Sequence, residues 1–375
     1  MNRYLKNHVQ DDIKKKIVIL SGPRQSGKTT FCKQLSDNYI YLNHDSGSDR
    51  KVISEGSWKK DAELIIFDEI HKMKKWKSWI KGVYDTEGIH PGLILTGSAR
   101  LETFKKGGDS LAGRFFSYRL HPLTVKEICS ELKENPRDAL EKILLLGGFP
   151  EPYLSGSENE ARRWRRSHID VIIREDLLDL EYVRDIKSVE ILVELLSKSV
   201  GSTVSFSSLA GDLQVTVPTV RHWLQILENL YVIFPVRPFV RNIARSILKE
   251  TKYYFFDTGY VKGGTGEKLE NSVACSLLKE LHFIEDTTGF HCSLNYIRDK
   301  EKREVDFAAV IDDKPVLLCE VKTGGDDFSK HLFYFNERIA PVKAVQAVLN
   351  CSREKEKNGV RLMDAAGFLS EIKLI

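Results

Sequence analysis

The sequence predicts an α/β protein of several domains: a parallel sheet with a helical extension, a helix-turn-helix carrying a wing, and a second α/β layer near the C-terminal end. Three observations predict it. The β-branched run "KKKIVILSG" passes into "PRQSGKTTF" and then a helical pattern, the strand–loop–helix order of a parallel sheet. Two further apolar runs, "AELIIF" and "GLILT", end in polar residues, as parallel strands do at their ligand-bearing edge. The last third again alternates strand-like runs with helical periodicity. At 375 residues the chain exceeds one ordinary core, so two or three domains are expected.

Composition narrows the class. Hydrophobic residues at 42% and charged residues at 29% fit a folded globular chain and exclude a disordered one. No apolar run approaches the roughly 20 residues that cross a bilayer, so no membrane partner is expected. The charged start "MNRYLKNHVQDDIKKK" lacks the apolar region of a secretion signal. Cys32, Cys129, Cys275, Cys292, Cys319 and Cys351 form no C-x-x-C pair, which argues against a zinc or disulfide framework and for a reducing, cytoplasmic setting. The net charge of +4 permits a nucleic-acid partner without requiring one.

The first strand leads into Gly22-Pro23-Arg24-Gln25-Ser26-Gly27-Lys28-Thr29-Thr30. Gly22, Gly27, Lys28 and Thr29 fill every fixed position of the phosphate-loop pattern, between a strand and a helix as the pattern demands. Glycines let backbone N–H groups converge on phosphate oxygens, and the helix start adds partial positive charge. Lys28 is expected to reach the β and γ phosphates of ATP, and the Thr29 hydroxyl to hold Mg²⁺.

The second strand, Leu64 to Phe67, ends in Asp68 and Glu69. Asp68 is expected on the metal side and Glu69 as the base that polarises the attacking water. The third strand ends in Thr96, Gly97 and Ser98, with Arg100 beyond. Ser98, or Thr96 after it, is placed to sense the γ-phosphate; a strand-end turn capped by Thr96 and Ser98 explains the same residues. Arg114 in "SLAGRFF" is a candidate to stabilise transition-state charge from a neighbouring subunit, which requires a homo-oligomer; a plain surface arginine is the alternative.

Together "GPRQSGKTT", "LIIFDEIHKMKKWKSWIKGVYD", "LILTGSAR" and "LAGRFFSYRLHPLTVKEI" resemble the AAA-type (AAA+) P-loop NTPases often grouped with archaeal ATPases. The likeness continues through "LLLGGFPEPYL" and "IDVIIREDL" and covers most of the chain. It implies an ATPase module and places Lys28, Thr29, Asp68 and Glu69 in ATP binding and hydrolysis. One departure is visible: where many members carry an acidic "LD" pair, this chain has "YLNHDSG", which moves the acid to Asp45.

Beyond the ATPase segment, residues 1–125, the spacing predicts a helical lid over 126–200, packed on the nucleotide. Arg162, Arg163, Arg165 and Arg166 read as a solvated, charge-paired face, with phosphate contact the alternative. Residues 201–250 read as a winged helix-turn-helix: a short helix over Ser207–Leu213, a turn capped by Thr216, a second helix beginning near Pro218, and "YVIFPVRPF" as wing. Thr216, Thr219, Arg221 and His222 then face a DNA groove, unless the unit is a structural spacer. Arg237, Arg241, Arg245 and Lys249 add a basic stripe if helical.

Residues 251–375 open with "KETKYYFFDTGYV", which resembles the start of the domain of unknown function that usually accompanies this ATPase. A helix carrying Glu270 follows, then a hairpin with Asp306 on one strand and Glu320-x-Lys322 on the next. That pattern resembles the D…(D/E)-x-K core of restriction-endonuclease-like α/β folds. Asp306 and Glu320 are expected to converge on one Mg²⁺, Glu270 to complete its shell, and Lys322 to orient water. A cross-strand salt bridge is the alternative, although Glu320 lies in the apolar run "VLLCEV", where an unpaired charge is costly. After Lys322 a helix, the strand "KAVQAVLN", a charged loop and a terminal helix finish the layer.

The sequence thus reads first as a Mg²⁺-dependent ATPase acting on a nucleic acid, DNA above all, or on a protein. A DNA nuclease switched by ATP, and a nucleotide-gated DNA-binding protein with little turnover, are the rivals.

Overall fold

A computed structural model describes residues 1–59, 61–97, 111, 113–173, 185–239 and 250–375. The expectations at Ser98, Arg100, Arg241, Arg245 and Lys249 lie outside the described residues. The chain divides into two compact units: Met1–His121 with Asn229–Tyr231, and Pro122–Glu228 with Val232–Ile375.

The first unit is built on a parallel five-stranded sheet: β1 (Ile17–Ser21), β2 (Tyr39–Asn43), β3 (Leu64–Asp68), β4 (Gly92–Thr96) and β5 (Phe115–Arg119), in the order β2-β3-β4-β1-β5. The three inner strands are buried at every residue, which is why they read as unbroken apolar runs. Strand alternation sorts their side chains. Ile17, Ile19, Ile65, Phe67, Leu93 and Leu95 join one core with Trp58, Trp76 and Ile80. Phe67 makes edge-on contacts with Trp58 and Trp79, ring centroids 5.6 and 5.2 Å away. Asp68, one residue on, therefore faces the opposite side of the sheet. This alternation aims the acid away from the aromatic core.

The second unit opens with the helices Val125–Leu132, Pro136–Leu146, Pro150–Ser155, Glu158–Val171 and Ile186–Lys198. Asn135 caps the second by accepting from the Arg137 amide at 2.9 Å, with Pro136 in the first turn. The first of these helices is tied to the long helix Thr265–Thr288 by a buried ion pair, Lys279 Nζ to Glu127 Oε2 at 2.6 Å. The helices Phe206–Asp212 and Val217–Asn229 follow, and the Thr216 hydroxyl accepts from the Thr219 amide at 3.3 Å as the sequence cap predicts.

Nine strands form the sheet of this unit: β6 (Thr203–Val204), β7 (Ile233–Pro238), β8 (Thr251–Phe255), β9 (Cys292–Arg298), β10 (Glu304–Ile311), β11 (Lys314–Gly324), β12 (Lys343–Asn350), β13 (Lys355–Lys357) and β14 (Val360–Asp364). Their order is β13-β14-β12-β11-β10-β9-β7-β8-β6. β7 and β8 pair antiparallel, and β7 also meets β9 through Arg237 and Pro238, so β7 and β8 share one sheet with the C-terminal strands. β10 and β11 form a hairpin turned at Asp312 and Asp313, both at positive φ. The charged loop expected near the end is instead the hairpin β13–β14, turned at Asn358-Gly359. Asn-Gly is the residue pair such a turn favours, and its dense flanking charge hid it. Among the described residues no helix is long and apolar enough to cross a membrane.

Candidate active site

The loop after β1 owes its shape to residues that tolerate positive φ. Gly22 sits at φ 142°, where a Cβ would collide with the Leu120 carbonyl oxygen. Gln25 (φ 63°) and Gly27 (φ 91°) complete the turn into the helix Lys28–Lys33. Buried Arg3 braces the loop from outside, donating to the Ser26 carbonyl at 2.9 Å and to the His121 carbonyl. The Ser26 hydroxyl is buried and has no hydrogen-bond partner among the described residues. Lys28 is only 8% exposed, and its ammonium donates to the carbonyls of Gly22 (3.0 Å) and Pro23 (2.7 Å). Burial pulls its pKa down to about 8, against the opposing pull of Glu69 and Asp68.

Asp68 is the hub of the site and is 7% exposed. Its Oδ2 accepts from the Thr29 hydroxyl at 3.0 Å and from the Tyr41 hydroxyl at 2.7 Å. Its Oδ1 accepts from the Glu69 amide at 3.1 Å and from the Thr96 hydroxyl at 3.4 Å. Four donors satisfy the buried carboxylate and fix its plane. Glu69 leaves the strand at φ 54°, and its amide also points at the Thr96 carbonyl, 3.0 Å away. Its carboxylate lies 3.5 Å from His71 Nε2 and 3.8 Å from Lys72 Nζ. Burial raises its pKa, and Lys72 opposes the rise. A carboxylate shifted upward and still partly exposed suits proton transfer from water.

The structure thus gathers Lys28, Thr29, Asp68, Glu69 and Thr96 at one end of the sheet. Asp45 is bound to Lys72 at 2.6 Å rather than to this hub. Arg114 lies on the surface, paired with Asp85 at 3.0 Å. Sequence reasoning missed Arg3 and Tyr41. Arg3 gives no motif signal, and Tyr41 is marked only by its place on the strand that ends beside Asp68.

In the second unit Phe307 pairs with Cys319, so Asp306 and Glu320 stand opposite each other one residue further along the hairpin. Lys322 Nζ lies 2.8 Å from Glu320 Oε1, while the buried Glu320 Oε2 has no hydrogen-bond partner among the described residues. Asp306 Oδ2 accepts from the Val321 amide at 2.8 Å. Glu270 Oε1 accepts from the Tyr254 hydroxyl at 2.7 Å and lies 3.7 Å from Lys252 Nζ. Lys252, almost wholly buried, also holds Glu304 at 2.7 Å. Burial first, and the charge of Asp306 next, hold the carboxyls of Glu270 and Glu320 well above the usual range.

Among the described residues no group of three or more His, Cys, Asp or Glu side chains is arranged to hold a metal ion. Lys252, Lys322, Tyr254 and the Val321 amide engage these acids. No residue pattern marks Lys252, which arrives from β8.

The glycine loop, its lysine and the acid pair on an inner parallel strand have the arrangement of a P-loop on an α/β sheet. Residues 14–129 match the family model described as "AAA domain", which supports an AAA-type ATPase. Residues 137–266 match a second family model, described as a domain of unknown function (DUF8612). The chain is 24% identical over 343 residues to uncharacterized protein MJ1544 of Methanocaldococcus jannaschii, covering 81% of this chain and 74% of that one. It is 25% identical over 247 residues to uncharacterized protein Rv2008c of Mycobacterium tuberculosis, covering 65% of this chain. The match spans about half, 54%, of the mycobacterial protein's length. Among solved structures, a RuvB variant of Thermotoga maritima aligns at TM-score 0.33 and 18% identity, over 61% of this chain and 88% of that chain.

Proposed function

We propose that the protein is a Mg²⁺-dependent ATPase whose turnover acts on a nucleic-acid or protein partner. The observation that carries it is the 3.0 Å bond between Thr29 Oγ1 and Asp68 Oδ2, beside the buried Lys28 and the strand-end Glu69. The residues fit the cation: a hydroxyl and a carboxylate are the hard oxygen donors that Mg²⁺ takes alongside phosphate. Bound Mg²⁺ supplies charge neutralisation at the terminal phosphates.

The chain's own groups do the rest. Backbone amides from Arg24 to Thr30 cradle the phosphates, and the Lys28 ammonium turns from the loop carbonyls toward the β and γ oxygens. Thr29 and Asp68 hold the cation. Glu69 accepts the proton of the attacking water, with its carboxylate steadied by His71 and Lys72. Thr96 fixes Asp68 from the neighbouring strand. Ser98 as γ-phosphate sensor and Arg114 as a charge donor to a second copy complete the proposal.

For the second unit we read the two helices around Thr216, with β7 and β8 as wing, as a winged helix-turn-helix. The hairpin β10–β11 and helix Thr265–Thr288 read as a restriction-endonuclease-like layer. Support for the first is the helix–turn–helix–strand order; support for the second is Asp306 opposite Glu320, with Lys322 on the same face. Nuclease chemistry at Asp306, Glu320 and Lys322 is no part of this reading, which rests on the ATP site alone. The Thr216 and Thr219 hydroxyls lie 2.9 Å apart, and the Arg221 guanidinium lies over Phe206, 5.3 Å from the ring centroid.

The test is ATP turnover with and without duplex DNA across a salt series. Turnover that needs Mg²⁺ and rises with DNA in low salt supports an ATPase with a nucleic-acid partner. Absence of Mg²⁺-dependent turnover under every condition contradicts the ATPase reading.

A further inference from the structure

Tyr41 makes the shortest contact that Asp68 receives, 2.7 Å from phenol oxygen to Oδ2. Its place follows from register. Tyr41 pairs with Ile66 across β2 and β3, and Ile66 and Asp68 share a face because they are two residues apart. Two residues of strand span about 6.6 Å, close to the reach of a tyrosine side chain, so the hydroxyl meets the carboxylate diagonally. The ring is held from the other side: Lys33 Nζ, at the end of the helix after the phosphate loop, lies 4.1 Å from its centroid. Tyr41 thus touches both the segment that follows the loop and the acid on β3. Both Tyr41 and Thr29 donate to the same oxygen, Oδ2.

We propose that Tyr41 is a positioning residue for Asp68, fixing the carboxylate so that Oδ2 meets the Thr29 hydroxyl and the nucleotide-bound Mg²⁺ in one orientation. The inference rests on the ATPase reading above. Loss of an outer partner of a metal-side carboxylate weakens cation affinity, typically by tenfold or more. The ring itself is not required for this; the hydroxyl is.

The experiment compares wild type, Tyr41→Phe and Lys33→Met as full-length proteins. ATP turnover is measured against Mg²⁺ concentration, and binding of a fluorescent ATP analogue is measured in EDTA. Tyr41→Phe is expected to raise the half-saturating Mg²⁺ concentration about tenfold, recover turnover at high Mg²⁺, and leave Mg²⁺-free nucleotide binding within about twofold of wild type. Lys33→Met, which keeps the phenol bond, is expected to leave the Mg²⁺ dependence unchanged. In a double-mutant cycle, adding Tyr41→Phe to Asp68→Asn is expected to cost little more than Asp68→Asn alone.

Wild-type Mg²⁺ dependence in Tyr41→Phe overturns the proposal while leaving the ATPase reading intact. An equal loss of Mg²⁺-free nucleotide binding also overturns it, because that outcome marks a merely structural ring. Wild-type protein that shows no Mg²⁺-dependent turnover overturns both readings together.

Discussion

The Thr29 hydroxyl donates to Asp68 Oδ2 at 3.0 Å, joining two segments 39 residues apart in the chain. A hydrogen bond to a buried charged group contributes about 1.5–3 kcal/mol, and here it also sets the geometry for a cation. Thr29→Val should therefore lower Mg²⁺-dependent ATP turnover by tenfold or more, whereas Thr29→Ser, which keeps the hydroxyl, should retain most of it. Steady-state rates at several Mg²⁺ concentrations check this.

Lys28 predicts a stability signature in alkali. Its folded pKa of about 8 lies below the ordinary lysine value of 10.5, mainly through burial. Between those values the unfolded chain holds a proton that the native one has released, so Lys28's contribution to stability rises with pH. Relative to Lys28→Met, wild type should gain stability from pH 8 to 10.5, by up to roughly 3 kcal/mol. Urea unfolding of both proteins across that range measures it; parallel curves would contradict it.

Asp257 predicts the opposite slope at acid pH. Its side chain is buried, accepts from the amides of Gly148 and Gly259 at 3.2 Å each, and stands 3.9 Å from Arg165. Burial lifts its pKa to about 6, with Arg165 opposing. The native state then holds a proton between pH 3.8 and 6 that the unfolded chain has lost, so this contribution falls as pH rises through that window. Thermal melts of Asp257→Asn should lack that component of the pH dependence.

Lys252 lies inside a group of acids, 2.7 Å from Glu304 and 3.7 Å from Glu270. Removing it leaves Glu270 without its cation, while Glu304 keeps Arg298 at 3.6 Å. Lys252→Met should destabilise the protein by about 3 kcal/mol, and adding Glu270→Gln should restore part of the loss. Denaturant midpoints of the single and double variants report the coupling.

The phosphate loop and the acid pair were legible in the sequence because their chemistry is local. Glycines at Gly22 and Gly27 serve backbone needs that nearby residues create, and Asp68-Glu69 follows directly on an apolar strand. Tyr41 and Arg3 were not legible, since their roles depend on strand register and on a chain start that folds back to the loop. The C-terminal quartet was legible in residue type and pairing. Its charge balance was not, because Lys252 comes from a distant strand. The hairpin at Asn358-Gly359 shows a readable turn overlooked amid flanking charge.

The most direct measurement is calorimetric titration of ATP and Mg²⁺ into wild type, Lys28→Ala and Glu69→Gln, paired with phosphate release. Wild type should bind and hydrolyse, Lys28→Ala should show no binding heat, and Glu69→Gln should bind with turnover reduced by a hundredfold or more. Wild-type turnover in Glu69→Gln, or unchanged binding heat in Lys28→Ala, would contradict the assignment of this site.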